Sequence, residues 1–558
     1  MTAVLDLEAA PRRRPPRTTR RRAPWWVFAS VLAVAAAAYL INLRVALDFD
    51  LDEVMYTIAG QNVAAADSVS WGEMPTSVHP PVHFLLVGLW TLITGTADGS
   101  IVDALFAARY LGALCSVLVV GMVGLLARRH TRNGWLVAGA MLLAAGNGFL
   151  VRFGRTALIE PTALLAGLGV VLLALRLRRA ASPVYIGIVG LVSGIALLIK
   201  EPLIFTVLVP VLAAVLERDF AYLRRAATAV LVAMGIWGMF PLWAVLNGAG
   251  AWWWSEHDTS LQRISGLLQV SGLNRPGVSS TGVFGDTFTT YVSGYLTFGI
   301  GALGLLVLAY RGGLFHRRKL RARTASLVAF GVLSYGFLAY CVLLGQANEQ
   351  LTAYSAVPAV LLSVLAWGDR MPKVIVAAVT AVVLASLAAW TWNVAMARDD
   401  ASTRMGGFLT ENYACAPVNA TGNALRWAPV LPRNHVEGFR DGGTAVEAGV
   451  RLFLLSPKDS RMRYGNSSPE LDTFVRTYGS LVQQYPSRRY EQIELWSVPG
   501  PQLAARDCGN TRPPIAQNAS ALRFLALLIA AAAGLGTVTY GWNAVHRRRE
   551  WARDWAKR

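Results

Sequence analysis

Four acidic side chains stand within one short stretch of the sequence, LDFDLDEVMYTIAGQNV, at residues 47–63. They are Asp48, Asp50, Asp52 and Glu53, and they directly follow a long apolar segment. A carboxylate can act as a general base that takes a proton from an attacking hydroxyl. Acids in the first turn of a helix also stabilise the helix dipole. We therefore predict that Asp52 and Glu53 are catalytic, with helix stabilisation as the alternative.

The same acids raise the question of a bound metal ion. The spacing Asp48-x-Asp50-x-Asp52 suits the start of a calcium loop, but an EF-hand needs glycine at its sixth position and glutamate at its twelfth. Counted from Asp48 or from Asp50, neither residue is present, which excludes an EF-hand. A looser site for a divalent cation stays open. No nucleotide cofactor is indicated, because the sequence has no P-loop and no GxGxxG turn.

Basic and polar side chains recur at the ends of other apolar segments. RFGRTALIEP and LLIKEP carry Arg152, Arg155, Glu160 and Lys200. Arginine and lysine can hold a phosphate and stabilise its charge as it leaves. Ionisable residues at span ends suggest a functional site, although an arginine there can also simply extend to lipid head groups. The other candidate contacts of the site are Asp50, His79, His257 and Tyr354.

The composition indicates a membrane protein with many spans. Of the 558 residues, 54% are hydrophobic and only 15% charged, and the mean hydropathy is +0.43. Soluble domains carry about 25% charged residues. The net charge of +19 comes from short basic runs between apolar segments, which is the pattern of cytoplasmic loops. We therefore predict a cell-membrane protein with both termini in the cytoplasm, and we exclude nucleic acid as a partner.

Apolar runs of about 17–25 residues mark the spans. The apolar runs predict a polytopic α-helical membrane protein of about twelve spans, and the basic loops between them set the direction of each span. Segment 80–94 is short, and a crossing there would place the basic run RRHTR outside, so we predict that it lies at the membrane interface. The predicted divisions are a basic tail at 1–23, a transmembrane domain at 24–397 with external loops 47–104 and 248–288, an external domain at 398–520, a last span at 521–542 and a basic tail at 543–558.

Residues 398–520 have the pattern of a small α/β domain outside the membrane. VRLFLLSP (450–457) and EQIELWSV (491–498) are typical of strands. Residues 469–485 carry apolar side chains at helical spacing, which predicts a helix. The external domain therefore contains both kinds of element.

The four cysteines divide by location. Cys115 and Cys341 lie within predicted spans, where a free thiol behaves as a small hydrophobe. Cys415 and Cys508 bracket the external domain, in a compartment where disulfides persist. We predict a bridge between these two, with two free thiols as the alternative.

Taken in order, several segments resemble the GT-C glycosyltransferases. They are DEVMYTIAGQNV after the first span, HPPVHFLL, ARYLGAL, RFGRTALIEP and LLIKEP. They are most similar to the branch that contains the lipid A aminoarabinose transferases and the protein O-mannosyltransferases. The resemblance covers residues 24–370. His79 stands where the aminoarabinose branch usually has lysine, and Glu160 stands where an aspartate is more usual.

The resemblance implies a GT-C-like fold, a polyprenyl-phosphate sugar donor and an inverting displacement on the outer face of the membrane. It implies that Asp52 is the general base, with Glu53 beside it. Arg155, Lys200 and His79 are then the residues expected to face the donor phosphate. The acceptor would be a polysaccharide, a lipid or a protein of the cell envelope, and the sugar a hexose or a pentose.

Two other classes of protein fit parts of the sequence. A transporter or flippase of a lipid-linked envelope precursor would also have many spans, but such carriers often show internal repeats and polar sites at the membrane midplane. Here no repeat is clear, and the polar residues fall at span ends. A non-catalytic scaffold would bind glycan through residues 398–520 and would tolerate the loss of Asp52. A glycosyltransferase is thus the expected function, and a transporter is the main alternative.

Overall fold

The computed structural model shows a helical bundle with a small mixed-sheet domain packed against it. It describes residues 23–45, 48–73, 75–76, 78–268, 280–312, 320–345, 349–367, 372–390, 397–422, 424–501 and 515–556. Most of the predicted tail 1–23 lies outside these ranges.

The first part of the bundle consists of mainly apolar helices. A helix satisfies its backbone polar groups internally, which is why apolar segments in a membrane become helical. Ser100 and Asn133 accept amide hydrogen bonds at two of the helix starts and so satisfy donors that a start leaves free. The helices are α1 (Trp25–Leu40), α2 (Leu51–Ala66), α3 (Val82–Thr94), α4 (Ile101–His130), α5 (Gly134–Ala145), α6 (Gly148–Gly154), α7 (Glu160–Leu177) and α8 (Ser182–Leu197).

The second part of the bundle begins with a 3₁₀ turn at Glu201–Leu203, directly after Lys200. One of its helices is kinked at Tyr291, where φ is −117° and ψ is 15°. The helices are α9 (Ile204–Val207), α10 (Val209–Glu217), α11 (Phe220–Trp237), α12 (Met239–Leu246), α13 (Gly250–Ile264), α14 (Ser280–Arg311), α15 (Ala322–Leu343), α16 (Glu349–Leu365) and α17 (Lys373–Trp390).

The helices identify a membrane protein. Judged by length and composition, 6 of the described helices are long and apolar enough to cross a membrane. The α5–α6 pair, bent by 58°, is a broken span, which would be a seventh, or a re-entrant loop. Shorter apolar helices of 10–17 residues accompany them. One of these is α3, whose 13 residues are too few to cross the hydrocarbon core. The count of about twelve spans and their direction stay predictions.

The external domain predicted at residues 398–520 contains a sheet and several short helices. Its strands are β1 (Pro417–Ala420), β2 (His435–Glu437), β3 (Leu452–Leu455), β4 (Ser480–Ser487) and β5 (Glu491–Ser497). Its helices are α18 (Ala401–Asn412), α19 (Ala424–Trp427), α20 (Gly442–Glu447), α21 (Pro457–Arg461) and α22 (Pro469–Tyr478), and the long helix α23 (Ala521–Ala556) follows it.

The sheet is mixed, with strand order β2-β1-β3-β5-β4. Strand β1 is parallel to β2 and β3, whereas β5 is antiparallel to β3 and β4. All four residues of β3 are buried, as expected of a central strand covered on both faces. The strands predicted at 450–457 and 491–498 coincide with β3 and β5.

The prediction of a helix at residues 469–485 is wrong for the second half of that segment. Helix α22 ends at Tyr478, and residues 480–487 form strand β4. The helical face is real at Leu471 and Val475, which are buried, but Leu481 is 43% exposed. The later residues instead gain antiparallel hydrogen bonds to β5, an advantage that the local spacing does not reveal. Helix α23 likewise continues beyond the predicted end of the last span at residue 542.

The sheet domain shares a hydrophobic core with the bundle. Phe49 and Val54, at the start of α2, belong to the same buried cluster as Met405, Trp427 and Leu495 of the domain. Burying these apolar side chains together stabilises the docked arrangement. The start of α2, where the acidic residues stand, therefore lies under the domain.

The cysteines of the described chain follow the predicted division. Cys115 and Cys341 are free and buried. Cys415 is disulfide-bonded. Its predicted partner, Cys508, lies outside the described residues, so the pairing stays a prediction.

Helices α2 and α3 cross closely at two glycines. A Cβ added at Gly60 would lie 2.3 Å from Val87 Cγ1, and one added at Gly88 would lie 2.7 Å from Val63 Cγ1. These separations leave no room for a side chain on either glycine. The crossing fixes α2, which carries Asp52, against α3, which follows His79.

We expect Gly60→Ala to destabilise the protein by about 1–3 kcal/mol, because the added methyl group must push the two helices apart. The measurement is thermal unfolding of the detergent-solubilised protein. Gly169→Ala is the matched control, since nothing lies within 4 Å of a Cβ at that helical glycine. Equal unfolding temperatures for the two variants would contradict the close crossing.

Candidate functional site

The N-terminus of α2 is capped by its own acidic side chains. The Asp50 carboxylate accepts a hydrogen bond from the Asp52 amide at 3.3 Å, and the Glu53 carboxylate accepts one from the Asp50 amide at 3.1 Å. This reciprocal pattern is a capping box. Helix stabilisation, the alternative considered for Asp52 and Glu53, is therefore seen for Glu53, and Asp50 takes part in it.

Glu53 forms a fully buried ion pair with Arg109 of α4. The guanidinium donates from Nε to Oε1 and from Nη2 to Oε2, both at 2.8 Å, and both side chains are 0% exposed. The Ala157 amide also donates to Oε1 at 2.7 Å. Because these donors occupy its oxygens, the geometry favours a positioning role for Glu53 over the predicted catalytic one. Arg109 belongs to the ARYLGAL segment, but sequence reasoning did not place it in the site.

Asp52 differs from Asp50 and Glu53 because no cation pairs with it in the described part of the chain. One hydrogen bond reaches its carboxylate, from Gln350 Nε2 to Oδ2 at 3.0 Å. Burial and then the charge of Asp50 raise the pKa of Asp52 to about 6, while the Gln350 hydrogen bond acts to lower it. The carboxylate is therefore mainly ionised at pH 7 and still basic enough to accept a proton. Gln350, at the start of α16, was missed from the sequence.

Lys200 and Glu160 form a second buried ion pair, between Nζ and Oε1. They are 4% and 1% exposed. The second carboxylate oxygen of Glu160 and the hydroxyl of Tyr354 are buried without a hydrogen-bond partner among the described residues. Lys200 Nζ lies 5.8 Å from the centroid of the Tyr354 ring, and the charges of Glu160 and Lys200 both act on Asp52. The structure thus brings together these predicted site residues.

Two predicted histidines lie at the same end of the bundle. The His79 ring is 5.5 Å from the Tyr56 ring, and burial, followed by the charge of Lys200, holds the pKa of His79 well below its usual range. A neutral imidazole can donate a hydrogen bond but brings no charge to a phosphate. His257 stacks on Trp253 at 3.9 Å between ring centroids.

The two predicted arginines of RFGRTALIEP have different surroundings. Arg152 is partly exposed and lies 3.6 Å from Glu349. Arg155 is buried and donates to the carbonyls of Ala38 at 2.8 Å and Ile41 at 2.7 Å, at the C-terminal end of α1. The geometry thus gives Arg155 a helix-capping contact, and it supports Arg152 as the arginine that is open to a ligand.

A further cation reaches the site from the sheet domain. Arg489, in the β4–β5 turn, forms an ion pair through Nη2 with Asp50. Burial acts to raise the pKa of Asp50, but the pKa is lowered overall, with Arg489 as the main cause. Sequence reasoning missed Arg489, because no local signal links the domain to the start of α2. We call the region bordered by Asp52, Lys200, Gln350 and Arg489 the cleft.

The described residues contain no group of three or more His, Cys, Asp or Glu side chains arranged to hold a metal ion. Three of the acids, Glu53, Asp50 and Glu160, are paired instead with Arg109, Arg489 and Lys200. The divalent cation left open by the sequence stays untested.

Comparison with known proteins gives structural matches only. No protein-family model matches the chain, and no curated protein sequence matches it. The oligosaccharyltransferase of Archaeoglobus fulgidus, in complex with Zn and sulfate, aligns with a TM-score of 0.54 at 14% identity, over 84% of this chain and 72% of that one. ArnT from Cupriavidus metallidurans, bound to undecaprenyl phosphate, aligns with a TM-score of 0.52 at 14% identity, over 86% and 99%.

A third match is AglB from Archaeoglobus fulgidus, in complex with an inhibitory peptide and a dolichol-phosphate. Its TM-score is 0.50 at 14% identity, over 87% of this chain and 74% of that one. At these identities the likeness concerns the fold. The GT-C-like fold implied by the sequence is confirmed.

We expect Arg109→Met to destabilise the protein by about 3–5 kcal/mol, because it leaves Glu53 buried without its cation. The double variant Glu53→Gln/Arg109→Met should recover part of this loss, since no buried charge then remains unpaired. The measurement is chemical unfolding in detergent. Arg463→Ala, which breaks an exposed pair with Glu470, is the control and should change stability by less than about 1 kcal/mol. An Arg109→Met variant as stable as this control would contradict the assignment.

Proposed function

We propose that the protein is a glycosyltransferase that moves a sugar from a polyprenyl-phosphate donor to an acceptor hydroxyl, with inversion, on the outer face of the cell membrane. The observation that carries this proposal is Asp52, a partly buried carboxylate that accepts a hydrogen bond from Gln350 and has no cation partner among the described residues. The fold supports it, since undecaprenyl phosphate is bound in the ArnT structure and dolichol-phosphate in the AglB structure.

The reaction is a single displacement at the anomeric carbon. Asp52 accepts the proton of the acceptor hydroxyl, and the hydroxyl oxygen forms a bond to the anomeric carbon. The bond from that carbon to the phosphate oxygen breaks, and polyprenyl phosphate leaves with the electron pair. Attack and departure on opposite sides of the carbon invert its configuration. The carboxylate needs to be ionised, which the pKa of about 6 for Asp52 permits at pH 7.

The leaving phosphate is held by Lys200, His79 and Arg152. Lys200 supplies positive charge from within the bundle, where low polarity strengthens its effect. His79 donates a hydrogen bond as a neutral ring, and Arg152 offers a planar guanidinium suited to phosphate oxygens. Glu160 keeps Lys200 in place before the donor arrives.

The remaining site residues act on these groups. Glu53 and Arg109 fix the start of α2 and so the position of Asp52. Tyr354 and His257 lie near the Lys200 side of the cleft and contact the donor sugar. A transporter would not need the Asp52 proton transfer, so this carboxylate separates the two functions experimentally.

We expect Asp52→Asn to lower transfer by at least about 100-fold, because general-base assistance is lost. The measurement is transfer of label from a panel of radiolabelled polyprenyl-phosphate sugars by purified protein in proteoliposomes, together with donor retention by the same vesicles. Donor retention should be unchanged, since Asn is nearly isosteric. Asp258→Asn, at an exposed carboxylate on α13, is the control and should transfer normally.

Two outcomes would count against this assignment. Normal transfer by Asp52→Asn would show that another group is the base. No transfer by the wild-type protein from any donor, combined with movement of lipid-linked sugar across the bilayer, would favour the transporter.

We expect the pH profile of kcat/KM to fall on the acidic side near pH 6, where Asp52 becomes protonated. Gln350→Ala removes the hydrogen bond that lowers the Asp52 pKa, so the acidic limb of the profile should move to higher pH. Asp50→Asn removes the charge that raises the Asp52 pKa, so the acidic limb should move to lower pH. Gln262→Ala, which removes a similar bond to Asp258, is the control. A limb that stays in place in both cleft variants would refute Asp52 as the titrating group.

A further inference from the structure

The first turn of α16 contacts two different residues of the site. Gln350 donates a hydrogen bond to the Asp52 carboxylate at 3.0 Å. Its neighbour Glu349 has Oε2 at 3.6 Å from Nε of Arg152. One helix start therefore reaches both the proposed base and a proposed phosphate contact, although Glu349 itself takes no part in the proposed displacement.

Glu349 is held in place by a buried tyrosine. The Tyr291 hydroxyl donates a hydrogen bond to Glu349 Oε2 at 2.7 Å. The Tyr291 side chain is 1% exposed, and its ring stacks on Phe149 of α6 with 4.3 Å between centroids and 3° between planes. A buried, stacked ring has little freedom to turn, so the carboxylate oxygen that it binds is also fixed.

Helices α14 and α6 are in close contact around this stack. The Gly148 amide donates to Ser293 Oγ at 3.1 Å, and a Cβ added at Gly294 would lie 2.3 Å from Phe149 Cδ2. Arg152 follows on α6 one turn after Gly148. The helix that carries the arginine and the helix that fixes its carboxylate partner therefore form one packed unit.

The contact with Glu349 leaves the end of the Arg152 side chain available. The closest approach of the carboxylate is to Nε, and the guanidinium carbon lies 5.7 Å from the centroid of the Tyr291 ring. Within the described ranges Arg152 donates no hydrogen bond, and its side chain is 22% exposed. A guanidinium binds phosphate through paired N–H groups, so Glu349 steadies Arg152 without taking the two Nη groups.

Resting on the proposed function, in which Arg152 binds the leaving phosphate, we infer that Glu349 and Tyr291 are positioning residues that orient this guanidinium for the donor. A side chain that is oriented before the ligand arrives loses less conformational entropy on binding. Neither residue touches the phosphate. Because Glu349 adjoins Gln350, the first turn of α16 also keeps the arginine and the base at a fixed separation.

The test is a double-mutant cycle on phosphate binding. The probe is farnesyl phosphate, a short polyprenyl phosphate without a sugar, titrated calorimetrically into the full-length protein in nanodiscs. We expect binding to weaken about tenfold in Arg152→Gln, about fivefold in Glu349→Gln and about threefold in Tyr291→Phe. The double variant Arg152→Gln/Glu349→Gln should bind no more weakly than Arg152→Gln alone, because Glu349 acts only through Arg152.

Two matched controls come from elsewhere in the chain. Tyr335→Phe removes a phenol hydrogen bond to the Phe298 carbonyl at 2.7 Å, between α15 and α14 of the same bundle. Glu470→Gln removes an exposed carboxylate that pairs with Arg463 of the sheet domain. Both variants should bind farnesyl phosphate like the wild-type protein.

Three results would overturn the inference. The first is Glu349→Gln binding as tightly as the wild-type protein or more tightly, which would make the carboxylate a competitor of the phosphate. The second is additive losses in the double variant, and the third is a wild-type protein that does not bind farnesyl phosphate. The expected coupling in a protein that transfers no sugar from any donor would keep the inference and reject the proposed function.

Discussion

The buried ion pair between Glu53 and Arg109 is the contact on which the site depends. It joins α2 to α4, and the Ala157 amide bonded to the same carboxylate adds the segment before α7. A buried charge is tolerable only while its partners stay in place. The pair therefore holds three parts of the bundle in one arrangement, and Asp52, one residue before Glu53, takes its position from it.

Around this ion pair, the carboxylates of the cleft differ in their partners. Asp50 is satisfied by Arg489 of the sheet domain, and Glu160 is satisfied by Lys200. Asp52 receives only an amide hydrogen bond from Gln350 among the described residues. A partly buried carboxylate without a counter-charge has a raised proton affinity. The packing thus distinguishes Asp52 from Asp50, Glu53 and Glu160, each of which is paired with a cation.

The sequence revealed the positions where chain segments leave the apolar core, but not what each side chain meets there. Asp52, Lys200 and Glu160 were recognisable because acids and cations at span ends are unusual. Arg155 stands at the same kind of position, yet its guanidinium donates to carbonyls at the end of α1. This contact depends on packing between helices that are distant in the sequence. Likewise, residues 480–487 carry apolar residues that fit a helix, and only pairing with β5 makes them a strand. Arg489 gave no local signal at all.

The ion pair between Asp50 and Arg489 joins residues separated by 439 positions in the chain. During synthesis, the residues up to the end of α17 are made about a hundred positions before residue 489. The Asp50–Arg489 pair can therefore form only after residue 489 has been made. This ties the arrangement proposed for catalysis to synthesis of most of the polypeptide.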